Sequence, residues 1–107
     1  MRGNVLKVDF TLEVPSKGLE EFISEFYHDR IKELLIMKGS FENKDLLTIK
    51  NFAHKWKGYC TPYGFNYLEV LSIQLEKSIE ENNFEEISLL LHQVTDYLEQ
   101  KGRILNI

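Results

Sequence analysis

The sequence predicts an all-α protein, an antiparallel four-helix bundle with an extended N-terminal arm. Apolar residues recur at three- and four-residue spacing through consecutive stretches, the signature of amphipathic helices. Short connections containing Gly, Pro or Asn separate the stretches, which favours helices folding back on their neighbours. A chain of 107 residues makes one domain and can bury a core without staples. We divide it into an arm over residues 1–15 and a bundle over residues 16–102.

In the arm, Leu6, Val8, Phe10, Leu12 and Val14 alternate with Lys7, Asp9, Thr11 and Glu13. That period of two predicts an extended segment. No second strand pattern follows, so the segment either lies along the helices or pairs with another copy. Pro15-Ser16 ends it, with Ser16 as the expected cap of the first helix. That helix spans residues 17–37, with Leu19, Phe22, Ile23, Phe26, Ile31, Leu34 and Leu35 recurring on one stripe, joined by Tyr27. Lys38-Gly39-Ser40 is expected to break it, glycine being usual just past a helix end.

Asn43 is the expected cap of a second helix over residues 44–60. Thr61-Pro62-Tyr63-Gly64 reads as a turn, because proline lacks a donor and glycine tolerates unusual backbone angles. A third helix covers residues 65–81, with Leu68, Leu71, Leu75 and Ile79 as its stripe. Glu80-Glu81-Asn82-Asn83 is a polar stop. The last helix covers residues 84–101, with Phe84, Ile87, Leu90, Leu91, Val94 and Leu98 inward and Gly102 closing it.

Composition narrows the function. Thirteen basic residues against 17 acidic give a net charge of −4. That weighs against broad electrostatic binding to nucleic acid, although Lys50, Lys55 and Lys57 form a local basic patch. The single cysteine allows no internal disulfide, which fits a reducing compartment. No apolar run approaches the ~20 residues of a membrane span, and no signal-peptide pattern opens the chain. The expected location is the cytoplasm, with no membrane partner.

The chemistry concentrates in residues 51–65, NFAHKWKGYCTPYGF. On a helical wheel Lys50 and Lys57 fall within about 60° of His54 on one side, and Gly58 about 40° away on the other. Ile49, Phe52, Ala53, Trp56, Tyr59 and Cys60 gather on the far side. The imidazole therefore faces away from the apolar stripe, beside two ammonium groups. Imidazole is nucleophilic near neutral pH and can become N-phosphorylated. Lys57 and Lys50, one turn to either side, are placed to balance phosphoryl oxygens. Lys55 can attract an acidic partner. Gly58 leaves room for a donor, at roughly 1 kcal/mol of helix stability against alanine. Leu47, about 20° from His54 and two turns earlier, suits a hydrophobic contact with another protein. Thr61, in the turn that follows, is expected to join Lys55, Gly58 and Leu47 in docking a partner protein.

The run Ala53-His54-Lys55-Trp56-Lys57-Gly58, followed by Gly64-Phe65 and the Leu-rich helix ending Leu75-Glu76, resembles the histidine-containing phosphotransfer (HPt) domains of bacterial phosphorelays. The resemblance covers residues 46–98 and continues less specifically over 14–37. It implies that His54 takes a phosphoryl group from the aspartate of a response-regulator receiver domain and passes it to another receiver. It also implies a hybrid sensor histidine kinase upstream. The family's lysine and glycines fall on Lys57, Gly58 and Gly64. No cofactor is implied in this chain, since the receiver brings the magnesium. Tyr59-Cys60 departs from the family's pair of small residues, and Trp56 fills a position usually held by a medium aliphatic residue.

The chain has no G-x-x-x-x-G-K-[ST] loop and no kinase-type glycine loop, so it is not expected to phosphorylate itself. Its expected role is a phosphohistidine carrier rather than a kinase. A lone helical histidine is usually an ordinary surface residue, which is the reading for His28 and His92. Cys60, on the apolar side, reads as a buried hydrophobe. The rival to phosphotransfer is a non-catalytic module that docks on a receiver with its histidine silent. A generic helical interaction domain is a third reading.

Overall fold

The computed structural model describes residues 7–107. Leu6 and the residues before it, where the alternating stretch begins, lie outside the described residues. Among the described residues there are four α-helices and no strand: α1 (Ile23–Glu42), α2 (Leu46–Tyr59), α3 (Asn66–Glu80) and α4 (Phe84–Leu105). Short 3-10 turns occupy Phe10–Leu12, Glu20–Phe22 and Thr61–Tyr63.

The helices exist because each has an apolar stripe to bury. Met37 of α1, Ile49 and Trp56 of α2, Leu71 and Leu75 of α3, and Val94 and Leu98 of α4 meet in one core, all fully covered. Burying one such side chain stabilises by about 1.5–3 kcal/mol. Near the α2–α3 connection the core turns aromatic. Phe26 stacks on Tyr63 with ring centroids 4.2 Å apart and meets Phe65 edge-on at 5.0 Å. The Arg30 guanidinium lies over Phe26 at 4.3 Å and over Tyr59 at 4.9 Å. Its neighbour Glu33 accepts the Trp56 Nε1–H at 2.6 Å, so the indole is buried with its donor satisfied.

Several boundaries differ from expectation. Ser16 does not cap α1; the chain first makes the 3-10 turn, and α1 begins at Ile23 without a side-chain cap. Gly39 does not end α1, which continues to Glu42. A methyl group on Gly39 would meet nothing within 4 Å, so the glycine tolerates the helix rather than breaking it. The reversal comes at Lys44, with φ of 60°, and Asp45 instead of Asn43 caps α2. α4 runs past Gly102 to Leu105 and ends at Asn106, in the left-handed region at φ of 61°. Gly102 is buried inside α4, where a Cβ would collide with the Tyr27 hydroxyl. Its role is close packing.

Three residues expected inward face solvent instead: Leu35, Phe22 and Phe84. Leu35 lies about 100° from Leu34 on the wheel, and only Leu34 can face the core fully. Phe22 and Phe84 sit at helix starts, where fewer neighbours surround them.

The N-terminal alternation also resolves differently. The Asp9 carboxylate accepts the Thr11 N–H at 3.1 Å and folds the chain into the 3-10 turn. Leu12 and Val14, from the apolar phase, are exposed, whereas Glu13, from the polar phase, is buried. The reason is an ion pair: Lys101 of α4 waits beneath it, Nζ to Oε1 2.7 Å.

Candidate functional site

α2 carries the site, and its phase is set at its first turn. Asp45 accepts the Thr48 N–H at 3.2 Å and the Thr48 hydroxyl at 2.6 Å. From that start Ile49, Ala53 and Trp56 turn inward, which leaves His54 outward with its side chain 70% exposed. The neighbouring α3 packs against α2. Thr61 bonds to Glu69, Lys57 to Glu76 at 2.6 Å, and Lys50 approaches Glu80 at 3.9 Å.

Glu76 is the centre of this seam. Its Oε2 lies 3.1 Å from His54 Nδ1, and its Oε1 accepts from the Lys57 ammonium. The Lys57 hydrogen bond, with a smaller contribution from His54, holds the Glu76 carboxyl below its ordinary value despite partial burial. An ionised carboxylate can only accept, so the neutral imidazole carries its proton on Nδ1. That leaves the lone pair on Nε2, in a ring open to solvent. The arrangement can present a nucleophilic nitrogen outward while a fixed negative charge steadies the ring behind it.

The predicted residues divide into those at this centre and those beside it. Lys57 shares Glu76 with His54. Lys50 belongs to the same seam but turns to Glu80, and Thr61 turns to Glu69. Lys55 lies elsewhere on α2, its ammonium 5.4 Å from the Phe52 ring centroid. Gly58 is exposed, and a methyl group there would meet nothing within 4 Å. Leu47 is exposed on the same side of α2 as His54. Glu76 was not among the predicted site residues. Its signal was available: it closes the Leu75-Glu76 pair, and a helix folded back on α2 sets a carboxylate against Lys57.

Cys60, His28 and His92 make other contacts. Burial pushes the Cys60 thiol up to about 12, so it stays protonated at neutral pH. His28 and His92 are exposed and bond through Nδ1 to the carbonyls of Ser24 and Ser88, one turn back. Among the described residues no group of His, Cys, Asp and Glu side chains could hold a metal ion. No described helix is long and apolar enough to cross a membrane. No protein-family model matches this chain, and neither a curated protein nor a solved structure matches it.

Proposed function

We propose that this chain is a phosphorelay carrier, an HPt-like domain in which His54 accepts a phosphoryl group from a receiver-domain aspartate and passes it to a second receiver. The observation that carries the reading is the exposed imidazole whose Nδ1 is held by Glu76 beside the Lys57 ammonium. On this reading the helices form an antiparallel four-helix bundle, the chain works in the cytoplasm, and its partners are receiver domains and a hybrid sensor histidine kinase. The magnesium belongs to the receiver.

In the step, Nε2 attacks phosphorus of the acyl phosphate. The N–P bond forms as the bond to the aspartyl oxygen breaks, and the aspartate leaves as carboxylate. The Nδ1 proton stays, so the phosphoimidazole ring carries positive charge that Glu76 balances across 3.1 Å. Lys57, one turn beyond His54, supplies a cation to the phosphoryl oxygens. Lys50 adds a weaker field from the preceding turn. Leu47, Gly58, Lys55 and Thr61 form the surface a receiver would meet, with Gly58 keeping the approach open.

The test is incubation with a phosphorylated receiver. Labelled phosphate on the wild type, absent from His54→Gln, supports transfer. Tight receiver binding with no label on either protein replaces the proposal with a silent docking module. Absence of receiver binding leaves a generic helical interaction domain.

A further inference from the structure

The N-terminal segment carries a buried ion pair that the transfer step does not use. The Glu13 and Lys101 side chains are 3% and 4% exposed, and Nζ lies 2.7 Å from Glu13 Oε1. The Tyr97 hydroxyl donates to the same oxygen at 2.8 Å. The second Glu13 oxygen accepts the Tyr67 N–H at 2.7 Å, and Lys101 donates to the Gly64 carbonyl at 2.7 Å. Charges survive in such a place only when each is matched.

The destinations of these bonds matter more than their strength. Gly64 and Tyr67 bracket the entry to α3, whose first turn has no side-chain cap of its own. The Ser16 N–H donates to the Pro62 carbonyl at 2.7 Å. Gly64, at φ of 85°, lies so close to the chain that a Cβ would stand 3.0 Å from Pro15 N. The segment around Glu13 is therefore pressed onto the connection between α2 and α3. Those are the helices that share His54 and Glu76. Sliding one helix by a single residue moves its side chains ~1.5 Å, enough to break a hydrogen bond. Leu12 and Val14, flanking Glu13, are exposed, and Phe10 stacks on Tyr97 at 5.7 Å. Val8 and Phe10 also pack against the core, and the polar part of the grip is centred on a single carboxylate.

We propose that Glu13 is a positioning residue: its segment is a strap that clamps the α2–α3 connection and so keeps Glu76 on His54 Nδ1. The proposal deepens the phosphorelay reading of the same site, and its readout is the imidazole itself. Nitrogen-15 NMR of the histidine rings in the full chain, above the pH where imidazole is protonated, reports which nitrogen carries the proton. Wild type should show His54 mainly as the Nδ1–H tautomer, and Glu76→Gln should lose that preference. Glu13→Ala should lower the melting midpoint by on the order of 10 °C and move the His54 tautomer signal toward the Glu76→Gln position. Glu13→Gln, which keeps the size but removes the charge, should move it part of the way. Glu13→Leu combined with Lys101→Met separates folding from positioning. It should recover part of the midpoint, since apolar groups replace a buried pair well, but not the ties of Tyr97, Tyr67 and Gly64. His54 should stay shifted in that folded double variant. A wild-type His54 signal there, or in folded Glu13→Ala, overturns the proposal. So does an unchanged midpoint in Glu13→Ala. If receivers never label His54, the phosphorelay reading falls while these ring signals still decide the strap.

Discussion

Two lysine–carboxylate pairs sit at opposite extremes in this molecule. Lys57–Glu76 lies at 2.6 Å on the open face of α2 and α3, with the Lys57 side chain 35% exposed. Lys101–Glu13 lies at 2.7 Å inside the fold. Bond length does not distinguish them; surroundings do. In the more open pair water can solvate the Lys57 ammonium, while Glu76, its side chain 14% exposed, keeps His54 as a second partner; on the phosphorelay reading Lys57 can therefore turn to an incoming phosphoryl group. The sealed pair has no such freedom, because either charge left alone in the interior is expensive. On the phosphorelay reading, the same chemistry serves reaction in one place and architecture in the other.

The largest expected effect tests the sealed pair. Lys101→Met strands the Glu13 carboxylate and should cost about 3–5 kcal/mol. Differential scanning calorimetry should find the midpoint lower by roughly 15 °C or more. A loss comparable to that of Lys50→Ala would erase the contrast. Next comes Gly102→Ala, whose methyl group collides with the Tyr27 hydroxyl and disturbs its 2.9 Å bond to the Leu98 carbonyl. Denaturant unfolding should show a loss of about 1–3 kcal/mol. At the exposed glycine the sign reverses: Gly58→Ala meets open space and should gain up to about 1 kcal/mol by helix propensity. Any loss there would place Gly58 in a packing role.

The open pair should show its weight in acid and in kinetics. Glu76 is held below its ordinary value of 4.5, so the unfolded chain binds its proton first as pH falls. Its contribution to stability is therefore complete above about pH 4.5 and is lost as pH drops through the depressed folded value. Melting curves of wild type and Glu76→Gln should draw together as pH falls through that acid window. At neutral pH the variant should slow phosphoryl acceptance at least ~10-fold, a larger change than its stability implies. Lys50→Ala, removing a cation 3.9 Å from Glu80, should move stability by no more than about 0.5 kcal/mol.

The lysine side of the open site was legible in the sequence, but neither pairing was. The placement of His54 opposite Ile49 and Trp56 follows from 3.6-residue periodicity, a property of one helix alone. The Leu68, Leu71, Leu75 and Ile79 stripe is local in the same way. Glu76 was harder, because its importance lies in a helix that it does not belong to. Glu13 was hidden altogether. The alternation around it predicts only an extended segment, and nothing in that pattern marks the glutamate as the residue the structure buries. Gly39 and Gly102 misled for a related reason. A glycine reads as a stop until its neighbours are known, and only Tyr27 shows why Gly102 stays in α4.

By itself, the order of residues determined the helical elements, the outward histidine and the run of lysines around it, because each depends on neighbours within about two turns. Only tertiary structure decided which carboxylate each lysine found and how deeply each pair was sealed. Those outcomes depend on residues as distant in sequence as Glu13 and Lys101, brought together when the apolar stripes pack.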